Sequence, residues 1–477
     1  MRFEADPDLR RTEDGTVAIG GSPLRILRLS SRGADALDRL TGREPIDLDD
    51  EQRAFAFRLV DLGFLVPRYS VDRTAEGGPD VSVVVPTFGR PAELDGCLRA
   101  LAKSPCGQVI VVDDGSPDPS AVAAVAEHHG ATVVQCDERR GPAAARNAGL
   151  AFVDTPLVAF VDSDVEVGTD WLPWLLCHLS DPDVAVVAPR VVCPAPELGA
   201  NLVAQYERYR SPLDMGARPG PVRPGSRVSY VPGAALLCRR DAILDVGGFD
   251  ETLLVGEDVD LLWRIVESGH RCWYVGDDSW VEHPPRPSAP AWLAQRFAYG
   301  SAAAALDERH PGAAAPLGVS GWSAAAWAAA ATGHPFIAAA VTASTVVALT
   351  RKLDFLDEPL AESIRLGGVG HVRAGESIGR ALLRPWMPLT LAASLVSRRA
   401  RRMALTAAIV TPLLERRRLG ATLEPASWIA MSLADDAAYS AGVWASAWRE
   451  KRWGALIPAF KNWPGRPAEA SVPAPPT

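Results

Sequence analysis

The stretch Leu157-Val158-Ala159-Phe160-Val161-Asp162-Ser163-Asp164 decides how this chain is interpreted. Its five apolar residues predict a buried strand. In an open parallel α/β sheet, ligands bind where the strands end, so the two carboxylates face a cleft. Asp162 and Asp164 offer hard oxygen ligands for Mg²⁺ or Mn²⁺ that also holds substrate phosphates. The alternative is a turn rich in Asp and Ser after the strand.

The segments around this stretch repeat the pattern of an apolar run followed by a helix. Strands are predicted at residues 81–85, 109–112, 132–134, 157–161 and 184–187, with helices at 91–102 and 142–153. This alternation predicts βαβ units and a mainly parallel sheet. We assign residues 81–288 to this α/β catalytic domain.

The first 70 residues predict a small separate module. A hairpin near Gly20-Gly21 precedes helices near residues 34–40 and 50–62 and a short strand at 63–67, the order of a winged-helix-like module. Residues 71–80, with Gly77-Gly78-Pro79, are typical of a linker. The first residues are charged and lack the apolar core of a signal peptide.

Residues 289–463 are rich in Ala and Trp and predict a helical region. No charged Asp, Glu, Lys or Arg occurs in 311–350, whereas 351–420 contains thirteen Arg or Lys against six Asp or Glu. Apolar segments flanked by basic ones favour association with the cytoplasmic surface of the membrane, or spanning of it. An Ala-rich soluble helical domain is the alternative. The Pro/Ala-rich residues 464–477 predict a disordered tail.

Composition excludes several classes of function. The net charge of −9 gives no basic footprint for nucleic acid. The seven cysteines are scattered without a CxxC pair, so a zinc site or a thioredoxin-like pair is not expected. We expect a reducing, cytoplasmic setting.

Two further strand ends point to the same edge as Asp162. Pro86 and Thr87 close the first strand, and Asp113 and Asp114 follow the second. A carboxylate here can accept hydrogen bonds from a nucleobase or ribose. The alternative is a turn whose Ser116 caps the next helix.

Basic and amide side chains follow in the helix that precedes Asp162. Arg146 and Asn147 lie in a helix that begins after Arg139-Arg140-Gly141, and arginines near a helix start suit phosphate binding. A solvated basic face is the alternative.

A second acidic group opens a later helix at Glu257-Asp258. Acidic residues in a first turn complement the helix dipole, but Asp258 at a cleft can also act as a general base. Arg264 either reaches a phosphate or braces this helix. A lone histidine such as His283 is more often structural, but beside Asp162 and Asp164 it is a plausible third metal ligand.

Together these residues resemble glycosyltransferase family 2. The motifs, in the family's order, are Val-Val-Val-Pro-Thr-Phe (83–88), Val-Asp-Asp-Gly-Ser (112–116), Gly-Pro-Ala-Ala-Ala-Arg-Asn-Ala-Gly (141–149), Val-Asp-Ser-Asp (161–164), Gly-Gly-Phe-Asp-Glu (247–251) and Gly-Glu-Asp-Val-Asp-Leu (256–261).

The resemblance implies a GT-A fold and an inverting transferase with a nucleotide-sugar donor and a divalent metal. It implies catalytic roles for Asp258 and Glu257. Its implied nucleotide-sugar residues are Pro86, Thr87, Asp113, Asp114, Arg146, Asn147, Asp162 and Arg264, and its metal ligands are Asp162, Asp164 and His283. The Gln-x-x-Arg-Trp motif of processive members is missing, which argues against processivity of the cellulose-synthase kind.

The flanking regions narrow the resemblance. The segment Val17-Ala18-Ile19-Gly20-Gly21-Ser22-Pro23-Leu24-Arg25 and the helices after it are similar to PqqD-type peptide-recognition modules. The whole arrangement resembles the glycosyltransferases of the mycofactocin system. That implies transfer of glucose from UDP-glucose to a peptide-derived redox cofactor precursor, building a short β-glucan.

Three other functions are alternatives to this one. A membrane-associated family 2 transferase with a lipid or cell-envelope polysaccharide acceptor keeps the chemistry and changes the acceptor. A non-catalytic nucleotide-binding scaffold is disfavoured because both the acidic pair and Asp258 are present. A nucleotidyltransferase needs a Gly-rich, Lys-bearing phosphate loop near the first strand, and residues 86–90 do not supply one.

Overall fold

A computed structural model describes residues 1–42, 44–69, 81–197 and 199–461, and it divides into two compact units, Met1–Ala289 and Pro290–Thr477. The predicted linker at 71–80 and the predicted disordered tail at 464–477 lie outside the described residues. Each unit is described by itself.

The first unit begins with short strands and two helices, in the order predicted for residues 1–70. Its elements are β1 (Arg2–Ala5), β2 (Arg10–Arg11), β3 (Val17–Gly20), β4 (Arg25–Arg28), α1 (Ser31–Leu40), α2 (Asp50–Asp61) and β5 (Leu65–Arg68). The predicted hairpin is the antiparallel pair β3–β4, and β1 pairs antiparallel with β5. Side chains cap both helices: Ser30 accepts from Gly33 N–H and Asp49 from Gln52 N–H. A winged-helix classification of these elements stays a prediction.

The remainder of the first unit is the predicted α/β region. Its elements are β6 (Val81–Thr87), α3 (Pro91–Leu101), β7 (Val109–Asp113), α4 (Pro119–His128), β8 (Thr132–Gln135), α5 (Pro142–Leu150), β9 (Leu157–Val161), β10 (Glu166–Val167), α6 (Trp171–Leu176), β11 (Val184–Ala188), β12 (Arg190–Val192), α7 (Leu202–Arg210), β13 (Gly220–Pro221), β14 (Ala235–Arg239), α8 (Arg240–Asp245), α9 (Glu257–Glu267), β15 (Arg271–Tyr274) and β16 (Trp280–Glu282).

The central sheet of this region has eight strands in the order β13-β15-β11-β14-β9-β6-β7-β8. Four of its pairings are parallel and three are antiparallel. The sheet is therefore mixed. Strand β14, which the sequence pattern did not predict, enters antiparallel between β9 and β11. The parallel strands β6, β7 and β9 place Thr87, Asp113 and Asp162 at one edge, as predicted.

Alternate residues of the strands pack on opposite faces of the sheet. Val83 and Val85 belong to one apolar core, and Val84 to another. The first core also includes Phe3 and Leu37 of the N-terminal elements. Residues 1–69 are thus packed on one face of the sheet through a shared core.

Ion pairs reinforce this packing. Arg271 Nε of β15 donates to Asp61 of α2 over 2.8 Å, and Arg227 donates to the buried Asp6 over 2.6 Å. The Arg271 guanidinium also lies 5.1 Å from the centre of the Phe57 ring. The N-terminal elements are therefore held by charge as well as by apolar contact.

The second unit is helical, as predicted. Its elements are α10 (Ala289–Ser301), α11 (Ala303–Arg309), β17 (Gly318–Ser320), α12 (Gly321–Ala331), α13 (Pro335–Lys352), α14 (Pro359–Leu383), α15 (Met387–Val396), α16 (Arg398–Leu419), α17 (Pro425–Glu450) and β18 (Ala459–Lys461). The first residue of α10 belongs to the first unit. Gly333-His334-Pro335 separates α12 from α13, as expected. Among the described residues, no helix combines the length and apolar character needed to cross a bilayer.

Candidate active site

The carboxyl edge of the sheet carries acidic groups that are bound to neighbouring loops. Asp114 accepts hydrogen bonds from the Arg140 and Gly141 backbone N–H groups, both over 2.8 Å. Asp113 is buried and accepts from the Ser116 N–H over 3.0 Å. The predicted turn is thus present in the structure, but Ser116 does not cap the next helix: the N-cap of α4 is Asp118, whose side chain accepts from the Ala121 N–H. Asp114 uses both of its oxygens to fix the loop before α5.

Thr87 lies beside these carboxylates with its hydroxyl buried. Its carbonyl accepts from the Asp114 N–H over 2.9 Å. Within the described part of the chain its Oγ1 has no hydrogen-bond partner. A buried hydroxyl without a partner costs free energy, which a ligand bound at this edge would offset.

A buried arginine connects Asp162 with the start of α9. Arg146 of α5 is 3% exposed. Its guanidinium donates to Asp162 over 2.7 Å and to Glu257 over 2.6 Å. The alternative of a solvated basic face is therefore wrong for Arg146. Burial alone would lower the pKa of this guanidinium, but the carboxylates of Asp162, Glu257 and Asp258 outweigh burial and raise it. The guanidinium ties the two sides of the cleft together.

Glu257 and Asp162, the two carboxylates that Arg146 contacts, differ in their exposure to solvent. Burial raises the pKa of Glu257 to about 7, with a further contribution from Asp258 and an opposing one from Arg146. Burial also raises the pKa of Asp162, against the opposing charge of Arg146. Glu257 is enclosed, with 8% of its side chain exposed, whereas Asp162 is 31% exposed.

Asp258 is half-buried at the first turn of α9 and is held by two backbone donors. Gly233 N–H donates to one carboxylate oxygen over 2.6 Å, and Val259 N–H donates to the other over 2.8 Å. Gly233 precedes β14, and the next residue, Ala234, accepts from the Asp162 N–H over 2.9 Å. The chain before β14 therefore fixes Asp258 next to the strand end that carries Asp162.

Gly233 is closely packed against Asp258 and Arg146. A Cβ atom at this position would lie 3.0 Å from Asp258 Cβ and 3.2 Å from the Arg146 guanidinium, so a larger residue would require these neighbours to shift by a few tenths of an ångström. The sequence pattern did not point to this residue. Its only signal was a glycine between Pro232 and an apolar run.

Asp164 and His283 lie together at the same edge. His283 Nε2 is 3.4 Å from an Asp164 oxygen. The second Asp164 oxygen faces two arginines, Arg90 at 3.2 Å and Arg286 at 3.5 Å. Sequence reasoning missed both arginines, because one lies before α3 and the other follows β16, far apart in the chain.

The three predicted metal ligands are not gathered into one cluster. Among the described residues, no group of three or more His, Cys, Asp and Glu side chains is arranged to hold a metal ion. Asp164 and His283 are adjacent, but one oxygen of Asp162 is engaged by Arg146. The oxygen and imidazole donors of Asp164 and His283 still fit a divalent cation in their chemistry.

Two predicted nucleotide-sugar residues have structural partners instead. Asn147 donates to the Phe249 carbonyl over 2.9 Å and accepts from the Phe249 N–H over 2.9 Å. Arg264 donates to Asp260 over 2.8 Å and to the Val246 carbonyl over 2.6 Å. Both side chains brace the loop before α9. A role for them at the nucleotide stays a prediction that these contacts do not favour.

Comparison with known proteins identifies the family. The model of the family described as glycosyl transferase family 2 matches residues 82–244. The pre-mycofactocin glycosyltransferase of Mycobacterium tuberculosis is 39% identical over 96% of this chain and 97% of its own length. This chain belongs to glycosyltransferase family 2. Within that family it is close to the pre-mycofactocin glycosyltransferase.

Two other glycosyltransferases match part of the chain. Glycosyltransferase AglE of Haloferax volcanii is 28% identical over 44% of this chain and 68% of its own length. Among solved structures, the mannosyltransferase PcManGT from Pyrobaculum calidifontis, in complex with GDP-Man and Mn²⁺, is similar at 18% identity, with a TM-score of 0.41 over 77% of this chain and 90% of that one.

Proposed function

We propose that this family 2 glycosyltransferase is an inverting, metal-dependent hexosyltransferase that uses UDP-glucose. The proposed acceptor is a peptide-derived redox cofactor precursor of the mycofactocin pathway, on which it builds a short β-glucan. The observation that carries the proposal is the position of Asp258. Its carboxylate is fixed by the Gly233 N–H next to the strand end at Asp162.

In this proposal Asp258 is the general base. A half-buried carboxylate at a helix start can take the proton of an acceptor hydroxyl as that oxygen attacks the anomeric carbon. Attack opposite the leaving diphosphate inverts the configuration. Glu257 does not compete for this role, because it is enclosed and paired with Arg146. We assign Glu257 to positioning of α9.

The donor would lie along the edge formed by Thr87, Asp113 and Asp162. In this proposal the Thr87 hydroxyl, which has no hydrogen-bond partner among the described residues, and the buried Asp113 carboxylate would hydrogen-bond the nucleoside. Arg90 and Arg286, which flank Asp164, carry positive charge to the place where a diphosphate would bind.

A divalent cation would be held by Asp164 and His283, with Asp162 nearby. When bound, it would neutralise charge on the leaving diphosphate. The proposed contacts of Thr87, Asp113, Arg90 and Arg286 with the donor are the same whether the cation is Mg²⁺ or Mn²⁺. The Mn²⁺ named with the mannosyltransferase structure is a property of that protein.

The peptide-derived acceptor is supported by similarity that extends over residues outside the catalytic region. The match to the pre-mycofactocin glycosyltransferase covers 96% of this chain. A catalytic domain alone would match only near residues 82–244, as the family model does. The N-terminal elements, packed on the sheet, are our candidate for peptide recognition.

A second candidate is a transferase with a lipid or cell-envelope polysaccharide acceptor at the membrane. It is favoured by α13, which has no buried residue among its 18. Mass spectrometry of products formed from UDP-glucose, with the peptide-derived precursor or with lipid acceptors, separates the two candidates.

The assignment of the base is tested with Asp258→Asn. We expect glucose transfer to fall by at least about 100-fold, the usual contribution of a positioned base, while UDP-glucose binding measured by calorimetry changes little. Leu254→Ser, at an exposed position in the loop before α9, is the matched control and should keep full transfer. Transfer at the wild-type rate by Asp258→Asn would contradict the assignment.

A further inference from the structure

One end of the second unit exposes large apolar side chains. Phe336 at the start of α13 is 89% exposed, and Leu395 and Val396 at the end of α15 are 84% and 88% exposed. The Arg399 guanidinium of α16 donates to the Thr332 carbonyl, which brings the turn before α13 against the start of α16. All three apolar residues are within four residues of this contact in the sequence. We call them the apolar tip.

Four arginines follow two residues of the apolar tip in the chain, at the start of α16. Arg398, Arg399, Arg401 and Arg402 occupy the first turn and a half of α16, are all exposed, and have no acidic residue in that turn. In the described ranges, none of the four is within ion-pair distance of a carboxylate. Cations at a helix N-terminus are also disfavoured by the helix dipole. The cluster therefore has positive charge that is not compensated within the unit.

The other end of the same helix is different. Arg418 is paired with Glu376 at 2.5 Å, and Arg416 donates to the Leu423 carbonyl over 2.7 Å. Arg416 and Arg418 at the C-terminal end of α16 thus have partners, whereas the four arginines at its N-terminal end have no carboxylate partner among the described residues.

We propose that the apolar tip and these four arginines bind the surface of an anionic phospholipid bilayer. The three apolar side chains would enter the boundary between headgroups and acyl chains, as the apolar residues of interfacial helices do. The arginines would contact lipid phosphates, because guanidinium groups suit phosphate oxygens. A bilayer is favoured over a protein partner because exposed apolar side chains beside uncompensated arginines are the combination with which amphipathic segments bind anionic lipid surfaces.

The full-length protein is tested by co-sedimentation with vesicles of phosphatidylcholine, with and without phosphatidylglycerol, at low and high salt. We expect binding only to the anionic vesicles, weakened by salt. The triple variant Arg398→Gln, Arg401→Gln, Arg402→Gln should bind about 100-fold more weakly, since each basic residue near such a surface contributes about fivefold. Arg399 is kept because it holds the turn.

A second variant, Phe336→Ser with Leu395→Ser and Val396→Ser, should also lose binding. The control is Leu360→Ser, which removes a side chain that is 57% exposed near the far end of α13, and it should bind as the wild type does. Circular dichroism and transfer to a soluble acceptor verify that each variant is folded.

Three results would overturn the proposal. They are failure of the wild type to bind anionic vesicles, binding as tight as that of the wild type by both the arginine variant and the serine variant, and a concentration-dependent dimer of the wild type that the serine variant abolishes. The last result, seen by analytical ultracentrifugation, would show that a second copy of the chain covers the tip.

Discussion

Arg146→Met tests whether the buried guanidinium holds the site together. The substitution keeps most of the apolar stem but removes a cation that serves Asp162 and Glu257. Breaking a buried ion pair by removing one partner costs about 3–5 kcal/mol. Two features of the structure limit the loss. Glu257 can take up a proton, since its pKa is already raised to about 7, and Asp162 is 31% exposed and can be hydrated. We therefore expect a cost near the lower limit, about 3 kcal/mol.

The measurement is urea unfolding of the full chain followed by tryptophan fluorescence, with transfer assayed on the same samples. We expect a lower unfolding midpoint and a large loss of transfer, because α9 and the strand end at Asp162 lose their common partner. Arg146→Lys should be intermediate, since one ammonium group cannot reproduce a planar fork that contacts two carboxylates. The double variant Arg146→Met, Glu257→Gln should recover part of the loss, as expected for coupled neighbours.

The matched control is Arg32→Met. Arg32 also pairs with a glutamate, Glu51, but both side chains are about four-fifths exposed, at 82% and 78%. Exposed pairs contribute about 0–1 kcal/mol, so this variant should unfold close to the wild type. If Arg146→Met unfolds at the same midpoint as Arg32→Met and keeps wild-type transfer, the buried bridge has neither the structural nor the positioning role that we infer.

Three further predictions concern the metal and pH. Chelation with EDTA should abolish transfer, and added Mn²⁺ should restore it. The variant His283→Ala should need more metal than the wild type for half-maximal transfer. Full transfer by the metal-free enzyme would contradict the proposed metal dependence. The pKa of Glu257 is raised from 4.5 to about 7 in the folded state, so between these pH values the folded protein binds more protons than the unfolded chain. The contribution of this group to stability is therefore lost as pH rises from about 4.5 to 7. The melting temperature of Glu257→Gln should not show this loss. Burial lowers the pKa of His178 from 6.5 to about 3, so the unfolded chain binds an extra proton and stability is lost as pH falls below about 6.5. In His178→Asn the melting temperature should fall less steeply as the pH is lowered. If it falls as steeply as in the wild type, other groups cause the loss.

Much of the α/β fold could be predicted from local pattern. Strands β6 and β7 are mostly apolar and are followed by helices that begin at Pro91 and Pro119, and β9 is a continuous apolar run that is followed by the short strand β10. Strand β14 was missed although its first four residues, Ala235 to Cys238, are also apolar. Its partners β9 and β11 lie far from it in sequence, and antiparallel insertion depends on contacts that a local pattern does not contain.

The candidate site was predicted as a set of positions but not as a set of contacts. Motif order placed Asp113, Asp162 and Asp258 on the chain, and the sheet brings the ends of their elements to one edge. The resemblance to the family implied a nucleotide role for Asn147 and Arg264, with bracing of the helix as the alternative for Arg264, whereas in the structure both donate to loop carbonyls. Side-chain type indicates what a residue can bind, and only the three-dimensional neighbours decide what it does bind.

The adjacent carboxylates Glu257 and Asp258 show how one helix start separates two roles. In a first helical turn, successive side chains point about 100° apart. Glu257 points to Arg146 in the interior, where burial raises its pKa. Asp258 points to the Gly233 N–H and stays half-buried. Hydrogen bonds from the Gly233 and Val259 N–H groups hold its carboxylate at the edge of the cleft, so Asp258 is the carboxylate of the two that an acceptor hydroxyl can reach. A general base must lie within hydrogen-bond reach of the proton that it removes, which is why the geometry favours Asp258 over its enclosed neighbour.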